Sequence, residues 1–265
     1  MQNGEDRLPG SLVYGSDMID LHSHILPGVD DGARSLEEAR DLARTALADG
    51  VTTIAATPHV RPDFPTTAEE MEIAVDELRY DFVVQGIDVE IAYGGEISFD
   101  LLFAIPPEDL PRFTLGQSGR YLLVECPYRA SPLPFEPAIG ALKRQGMTPI
   151  LAHPERNPEV QDRPDRLVTL VEAGALIQVT AASLEGSLDR ASQYCAQRLL
   201  EFGVIHLLAS DAHGPHIREI GLSAAAREVG DPELARYLTT DVPAAILAGE
   251  PIPEIPRPSL GVAPL

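Results

Sequence analysis

Short apolar runs alternate with amphipathic helical patterns along most of the chain, which restricts the fold to βα units around a parallel sheet. Seven runs have the length and composition of strands: 18–21, 51–56, 89–92, 121–125, 148–152, 175–180 and 204–209. The clearest helix follows the first run. Ser35 and Glu38 have capping-box spacing there, and Leu36, Ala39, Leu42, Ala43, Ala46 and Leu47 share one face before Gly50. Further helices are predicted over 68–85, 136–145, 164–173, 188–202 and 217–229; Gly86, Gly146, Gly174 and Gly203 follow the first four, where a positive φ ends a helix. Seven such repeats predict an α/β fold, a distorted seven-stranded (β/α) barrel of the TIM type, over an open doubly wound sheet. Neither a dinucleotide fingerprint nor a phosphate loop follows any strand.

Residues 1–17 lack periodicity and are read as a loose N-terminal extension, 18–250 as one domain, and 251–265 as a proline-rich C-terminal tail. No apolar run approaches the roughly 20 residues that cross a bilayer, and no basic-then-apolar leader opens the chain, so a cytoplasmic protein without membrane insertion is expected. Cys126 and Cys195 each lie in an apolar segment, predicting two reduced, buried thiols. The formal charge of −21 argues against nucleic acid or anionic lipid as a partner. It also serves solubility. A phosphate substrate would be repelled as well, unless bound cations reverse the field locally.

The polar residues that close these strands carry the chemistry. His22 and His24 end the first, His59 follows the second, Glu96 the third, Glu125 ends the fourth, His153 follows the fifth, and Asp211 with His213 the seventh. In a barrel of parallel strands all of these side chains reach one mouth. A single His-x-His pair is also compatible with two satisfied histidines, and a lone carboxylate after a strand with a helix cap. Five of the seven histidines at strand ends point instead to metal ligation. Imidazole and carboxylate without thiolate suit zinc, manganese or iron, and so many donors imply two or three ions. With Asp31, Glu96, Glu125 and Asp211 as the anionic ligands, three divalent ions would keep a net positive charge that attracts phosphate. Arg156, three residues after His153, and Arg218, five after His213, have guanidinium forks that match phosphoryl oxygens; Arg61, two after His59, is a third candidate.

In order along the chain stand DLHSH at 20–24, VDDG at 29–32, ATPH at 56–59, GGEI at 94–97, LVE at 123–125, LAHPER at 151–156 and ASDAH at 209–213. This ordered set resembles the PHP superfamily, named for polymerase and histidinol phosphatase, over residues 18–249. Within it the run from His22 to Gly32 is most similar to bacterial tyrosine-protein phosphatases that act with capsule and exopolysaccharide tyrosine kinases. The resemblance implies that His22, His24, Glu96 and Asp211 hold one metal, Glu96, Glu125 and His153 a second, and Asp31, His59 and His213 a third. It implies three divalent cations, manganese first and iron, zinc or magnesium as alternatives, with Arg156 and Arg218 on the substrate phosphate. The family often carries Arg-Pro-Pro where this chain reads GPHIR, so Arg218 is matched by spacing; His216 adds a polar group nearby.

The expected reaction is hydrolysis of phosphotyrosine on a protein, a bacterial tyrosine kinase being the expected partner, by in-line attack of a hydroxide bridging two ions. A cysteine nucleophile is excluded: a Cys-x5-Arg loop needs arginine six residues on, where this chain has Pro132 and Glu201. Histidinol phosphate or a similar small phosphomonoester is the alternative substrate. A nuclease on the same scaffold conflicts with the acidic charge. A non-catalytic interaction protein with a structural metal cluster is the alternative from another class.

Overall fold

The computed structural model describes residues 17–126, 135–214 and 218–256. Most of the assigned extension and tail, and His216, lie outside the described residues. Among the described residues ten strands form: β1 Met18–Ser23, β2 Val51–Ala56, β3 His59–Arg61, β4 Phe64–Pro65, β5 Glu90–Tyr93, β6 Glu96–Ser98, β7 Tyr121–Glu125, β8 Thr148–Ala152, β9 Leu176–Thr180 and β10 Leu207–Ala209. They pair as a three-stranded sheet, β1-β2-β5, and a seven-stranded sheet, β10-β9-β8-β7-β6-β3-β4. Every pair is parallel except the β3–β4 hairpin.

The predicted strands 51–56 and 89–92 form as β2 and β5, and a short strand not foreseen, β3 or β6, follows each across a break. Strand 51–56 stops at Thr57-Pro58 and resumes as β3, because proline has no N–H for the ladder. Strand 89–92 stops at Gly94-Gly95 and resumes as β6. A side chain on Gly95 would stand 2.6 Å from the Phe113 ring, so this crossing needs glycine. Among the described residues the two sheets do not close into one ladder. An isolated parallel bridge, Ser23 to Ala212, joins the end of β1 to the turn after β10, with His24 N–H donating to Ala212 O at 2.8 Å and Asp211 N–H to His22 O at 2.8 Å.

The helices are α1 Leu36–Asp49, α2 Ala68–Gln85, α3 Phe135–Arg144, α4 Pro158–Asp162, α5 Arg166–Ala173, α6 Ala181–Glu185, α7 Arg190–Glu201, α8 Ser223–Val229, α9 Pro232–Arg236 and α10 Val242–Leu247. In α1, Ser35 Oγ accepts the Glu38 amide, while the Glu38 carboxylate accepts the Arg34 amide. A full reciprocal capping box stands at Thr67 and Glu70, starting α2, whose Met71, Val75, Leu78 and Phe82 are buried. The expected helix over 217–229 is shorter, because Asp49 accepts the Leu222 and Ser223 amides and fixes its start there. The small helices α4, α6, α9 and α10 were not foreseen; each is too short to carry a periodic signal.

β7, β8 and β9 are buried on both faces, as expected of central strands in a parallel sheet. One continuous core surrounds them. Cys126 and Cys195 are buried and free, as expected. Among the described residues no helix is long and apolar enough to cross a membrane.

Candidate metal centre

Parallel strands present their C-terminal ends to one side of a sheet, and the offsets of β3 and β6 bring their first residues to that same rim. His59 and Glu96 are register partners there, and Ser98 pairs with Glu125. All nine predicted ligands gather at the rim. One donor atom from each lies within 4.8 Å of its neighbours in four overlapping groups: His24, Asp31, His59 and His213; His22, His24 and Glu96; His22, His153 and Asp211; His59, Glu96 and Glu125. Asp31 is the exposed member at the mouth, its side chain 42 % accessible, whereas His22, His24 and Glu96 are fully buried.

The deepest donors converge closely. His22 Nε2 lies 3.3 Å from His24 Nε2, and the two stand 3.4 and 3.5 Å from Glu96 Oε2 and 3.4 Å each from Asp211 Oδ1. A tetrahedron with metal–donor bonds of about 2.1 Å has edges of about 3.4 Å, so each carboxylate forms with the imidazole pair a triangle of the size a cation needs. Glu96 contacts the other histidines as well, with His153 Nε2 at 2.8 Å and His59 Nδ1 at 2.7 Å. The Glu96–His153 approach needed for the expected second ion is therefore present. His59 sits nearer to Glu96 and Glu125 than the expected partition places it.

Two imidazoles have their inner nitrogen directed by a partner on Nδ1. His22 Nδ1 donates to Gln178 Oε1 at 3.0 Å and His24 Nδ1 to Asp30 Oδ2 at 2.6 Å. Each bond fixes the tautomer that leaves Nε2 for a metal. Asp30 also accepts the His59 and Gly32 amides, so it ties the loop after β1 to β3. Gly32 is obligatory there, since a Cβ would meet the His24 carbonyl oxygen at 2.0 Å.

Sequence reasoning missed Asp30, Gln178 and the buried Asp20, which accepts from the Ser210 amide at 3.0 Å. Gln178 did carry a signal, as a lone amide inside an otherwise apolar strand.

Arg156 and Arg218 converge on one oxygen. Arg156 donates to Asp211 Oδ2 at 2.7 Å, and Arg218 stands 3.0 Å from the same atom while its Nε donates to the Asp211 carbonyl. Asp211 thus faces the histidine pair with Oδ1 and the guanidinium groups with Oδ2. Arg61 stands at the mouth, 3.5 Å from both Asp31 and Glu125. His153 and Asp211 have left-handed φ angles of 35° and 52°, a conformation that costs on the order of 1 kcal/mol or more for residues with a Cβ and clusters at functional sites.

The electrostatics call for positive charge. Burial opposes ionisation of Glu96, but the His22 charge, the hydrogen bond with His153 and the close His22 and His59 imidazoles hold its carboxyl well below the usual range. Asp211 is held low against burial by His22 and His24. Burial lowers the basicity of His22 and His24, yet the neighbouring carboxylates raise both. Glu125 is pushed up to about 7 by burial and by Glu96, and His213 down to about 4 by burial and by His24. Protons on the inner imidazoles supply the charge that a divalent cation would supply better. Glu96 Oε2 is buried without a directed hydrogen bond although three histidines surround it, so the donor set fits divalent cations.

The model of the family described as capsular polysaccharide synthesis, CpsB/CapC, matches residues 18–247. The tyrosine-protein phosphatase YwqE of Bacillus subtilis is 36% identical over 207 residues, covering 76% of this chain and 79% of that protein. The tyrosine-protein phosphatase CpsB of Streptococcus pneumoniae is 30% identical over 243 residues, covering 87% of this chain and 98% of that protein. A solved structure, from work on YwqE and CpsB as unique metal-dependent tyrosine phosphatases, superposes with a TM-score of 0.81 at 31% identity, over 92% of this chain and 100% of that one.

Proposed function

The chain belongs to the CpsB/CapC capsular polysaccharide synthesis family, and from that membership we propose that it is a metal-dependent protein-tyrosine phosphatase acting on a phosphotyrosyl protein. The substrate protein in this reading is a bacterial tyrosine kinase of exopolysaccharide or capsule synthesis. The observation that carries the proposal is the convergence of nine imidazole and carboxylate ligands on one rim, with two guanidinium groups directly behind Asp211.

Three divalent ions, manganese foremost, would be held by His22, His24, Glu96 and Asp211, by Glu96, Glu125 and His153, and by Asp31, His59 and His213. Bound there they would supply Lewis acidity and lower the pKa of water enough for attack on phosphorus at neutral pH. Arg156 and Arg218, aligned by Asp211, would bind the equatorial phosphoryl oxygens as charge develops on them. Asp211 thereby couples phosphate binding to ligand geometry. A tyrosyl leaving group has a pKa near 10, which lessens the need for a dedicated general acid, and none is assigned. Neither thiol takes part: both are buried, and burial pushes the Cys126 thiol well up and Cys195 up to about 12.

The same reading treats 18–250 as the catalytic domain and its sheets as one distorted seven-stranded barrel. Here β2 with β3, and β5 with β6, each count as one interrupted strand. The Ser23–Ala212 bridge, which returns the chain after β10 to the side of β1, supports it.

The test is turnover of a phosphotyrosyl peptide and of histidinol phosphate by manganese-loaded protein, before and after chelation. Metal-dependent hydrolysis favouring the peptide is expected. Preference for histidinol phosphate would move the assignment to a small-molecule phosphatase, and no hydrolysis of either would leave a metal-stabilised interaction protein.

A further inference from the structure

The β3–β4 hairpin carries an aromatic side chain that the core does not use. Phe64 is half-buried and pairs in register with Arg61. Its ring lies nearly parallel to the imidazole of His59, at 20° with centroids 6.0 Å apart, and the Arg61 guanidinium carbon stands 5.1 Å from its centre. Arg61 is pinned there by Asp63 at 2.9 Å and by Asp31 and Glu125 at 3.5 Å. Beside the ring opens a cavity of about 410 Å3, walled by Phe64, Pro65, Thr66, by Gly28 and Val29 of the loop that continues into Asp30 and Asp31, and by the acidic residues Asp63, which pairs with Arg61, and Glu70, which caps α2.

A phenylalanine placed for packing would face apolar side chains. This one stacks on the His59 imidazole and borders a cavity whose Gly28-Val29 wall leads into Asp30 and Asp31. In an aryl phosphate only the ester oxygen separates phosphorus from the ring. An aryl ester whose phosphoryl group meets an ion held by His59 would bring its ring within reach of Phe64, at the 4.5–7 Å over which aromatic pairs attract. A phosphorylated serine or a small alkyl ester has no ring to place there.

We propose that Phe64, backed by Arg61, is the aryl-binding subsite of this centre and determines its preference for phosphotyrosine over alkyl phosphates. The inference rests on the phosphatase reading above but is separable from it by binding. Manganese-loaded wild type, Phe64→Ala and Phe64→Leu would be titrated with phenylphosphonate and methylphosphonate by calorimetry, with metal content measured in parallel.

The wild type should prefer the phenyl ligand, and that preference should fall about three- to tenfold in Phe64→Ala and by an intermediate factor in Phe64→Leu, with metal content retained. An unaltered phenyl-to-methyl ratio in Phe64→Ala would overturn the proposal. So would metal loss in both variants, which would make Phe64 a support for His59. A wild type that prefers phenylphosphonate yet hydrolyses no phosphotyrosyl peptide would support the subsite while refuting the activity.

Discussion

Gln178 and His22 lie 156 residues apart in the chain and are joined by a 3.0 Å hydrogen bond from the imidazole Nδ1 to the amide oxygen. The same oxygen accepts the His153 amide at 3.2 Å, so one side chain on β9 holds two candidate ligands delivered by β1 and β8. Gln178→Ala should lower manganese affinity about 10- to 100-fold, as for other partners that direct a metal-bound imidazole. Gln178→Glu, which keeps the acceptor, should lose less. Metal titration checks this, and equal affinity in wild type and Gln178→Ala would remove Gln178 from the support of the centre.

Arg156 meets Asp211 at 2.7 Å and would meet the phosphoryl oxygens from the same position. Arg156→Lys keeps the charge but loses the planar fork. Its kcat/KM on an aryl phosphate should fall on the order of ten- to a hundredfold, the range expected for charged hydrogen bonds, while metal content stays at the wild-type level. Loss of metal together with rate would mean that the guanidinium serves Asp211 alone.

Chelation should destabilise the fold as well as stop turnover, because ions that bind only the folded chain stabilise it by mass action. The melting temperature should drop on chelation and recover when manganese is restored. His153→Ala, which removes the imidazole 2.8 Å from Glu96, should lose metal occupancy and turnover together. A variant with full metal content and normal rate would take His153 out of the site.

His206 lies away from the centre, 7 % exposed, with Nδ1 accepting the Ile177 amide at 3.2 Å. Burial lowers its pKa to about 4, from an ordinary value near 6.5. Between those values the unfolded chain takes up a proton that the folded chain refuses. Stability present above about pH 6.5 is therefore lost as pH falls through the folded pKa near 4, by about 3 kcal/mol in all. His206→Gln should flatten that part of the profile. Urea unfolding of both proteins across this range gives the difference, and parallel profiles would refute it.

The candidate ligands could be singled out in the sequence because metal chemistry restricts them to a few residue types, and because strand ends recur as punctuation between apolar runs. All nine residues singled out on that basis stand at one rim. The order of βα units was legible for the same reason, since each central strand must be apolar on both faces. The resumption of strand beyond Thr57-Pro58 and Gly94-Gly95, as β3 and β6, was not. Whether a strand ends or resumes after such a break depends on which neighbour pairs with it, and His59 finds Glu96 only in the folded sheet.

The chain by itself therefore determined which residue types could bind cations and roughly where strands would deliver them. Tertiary structure alone decided which nitrogen of His22 and of His24 turns inward. That choice belongs to Gln178 and Asp30. A hydrogen bond reaches only about 3 Å, so acceptors far from their histidines in sequence act only once folding has placed them side by side.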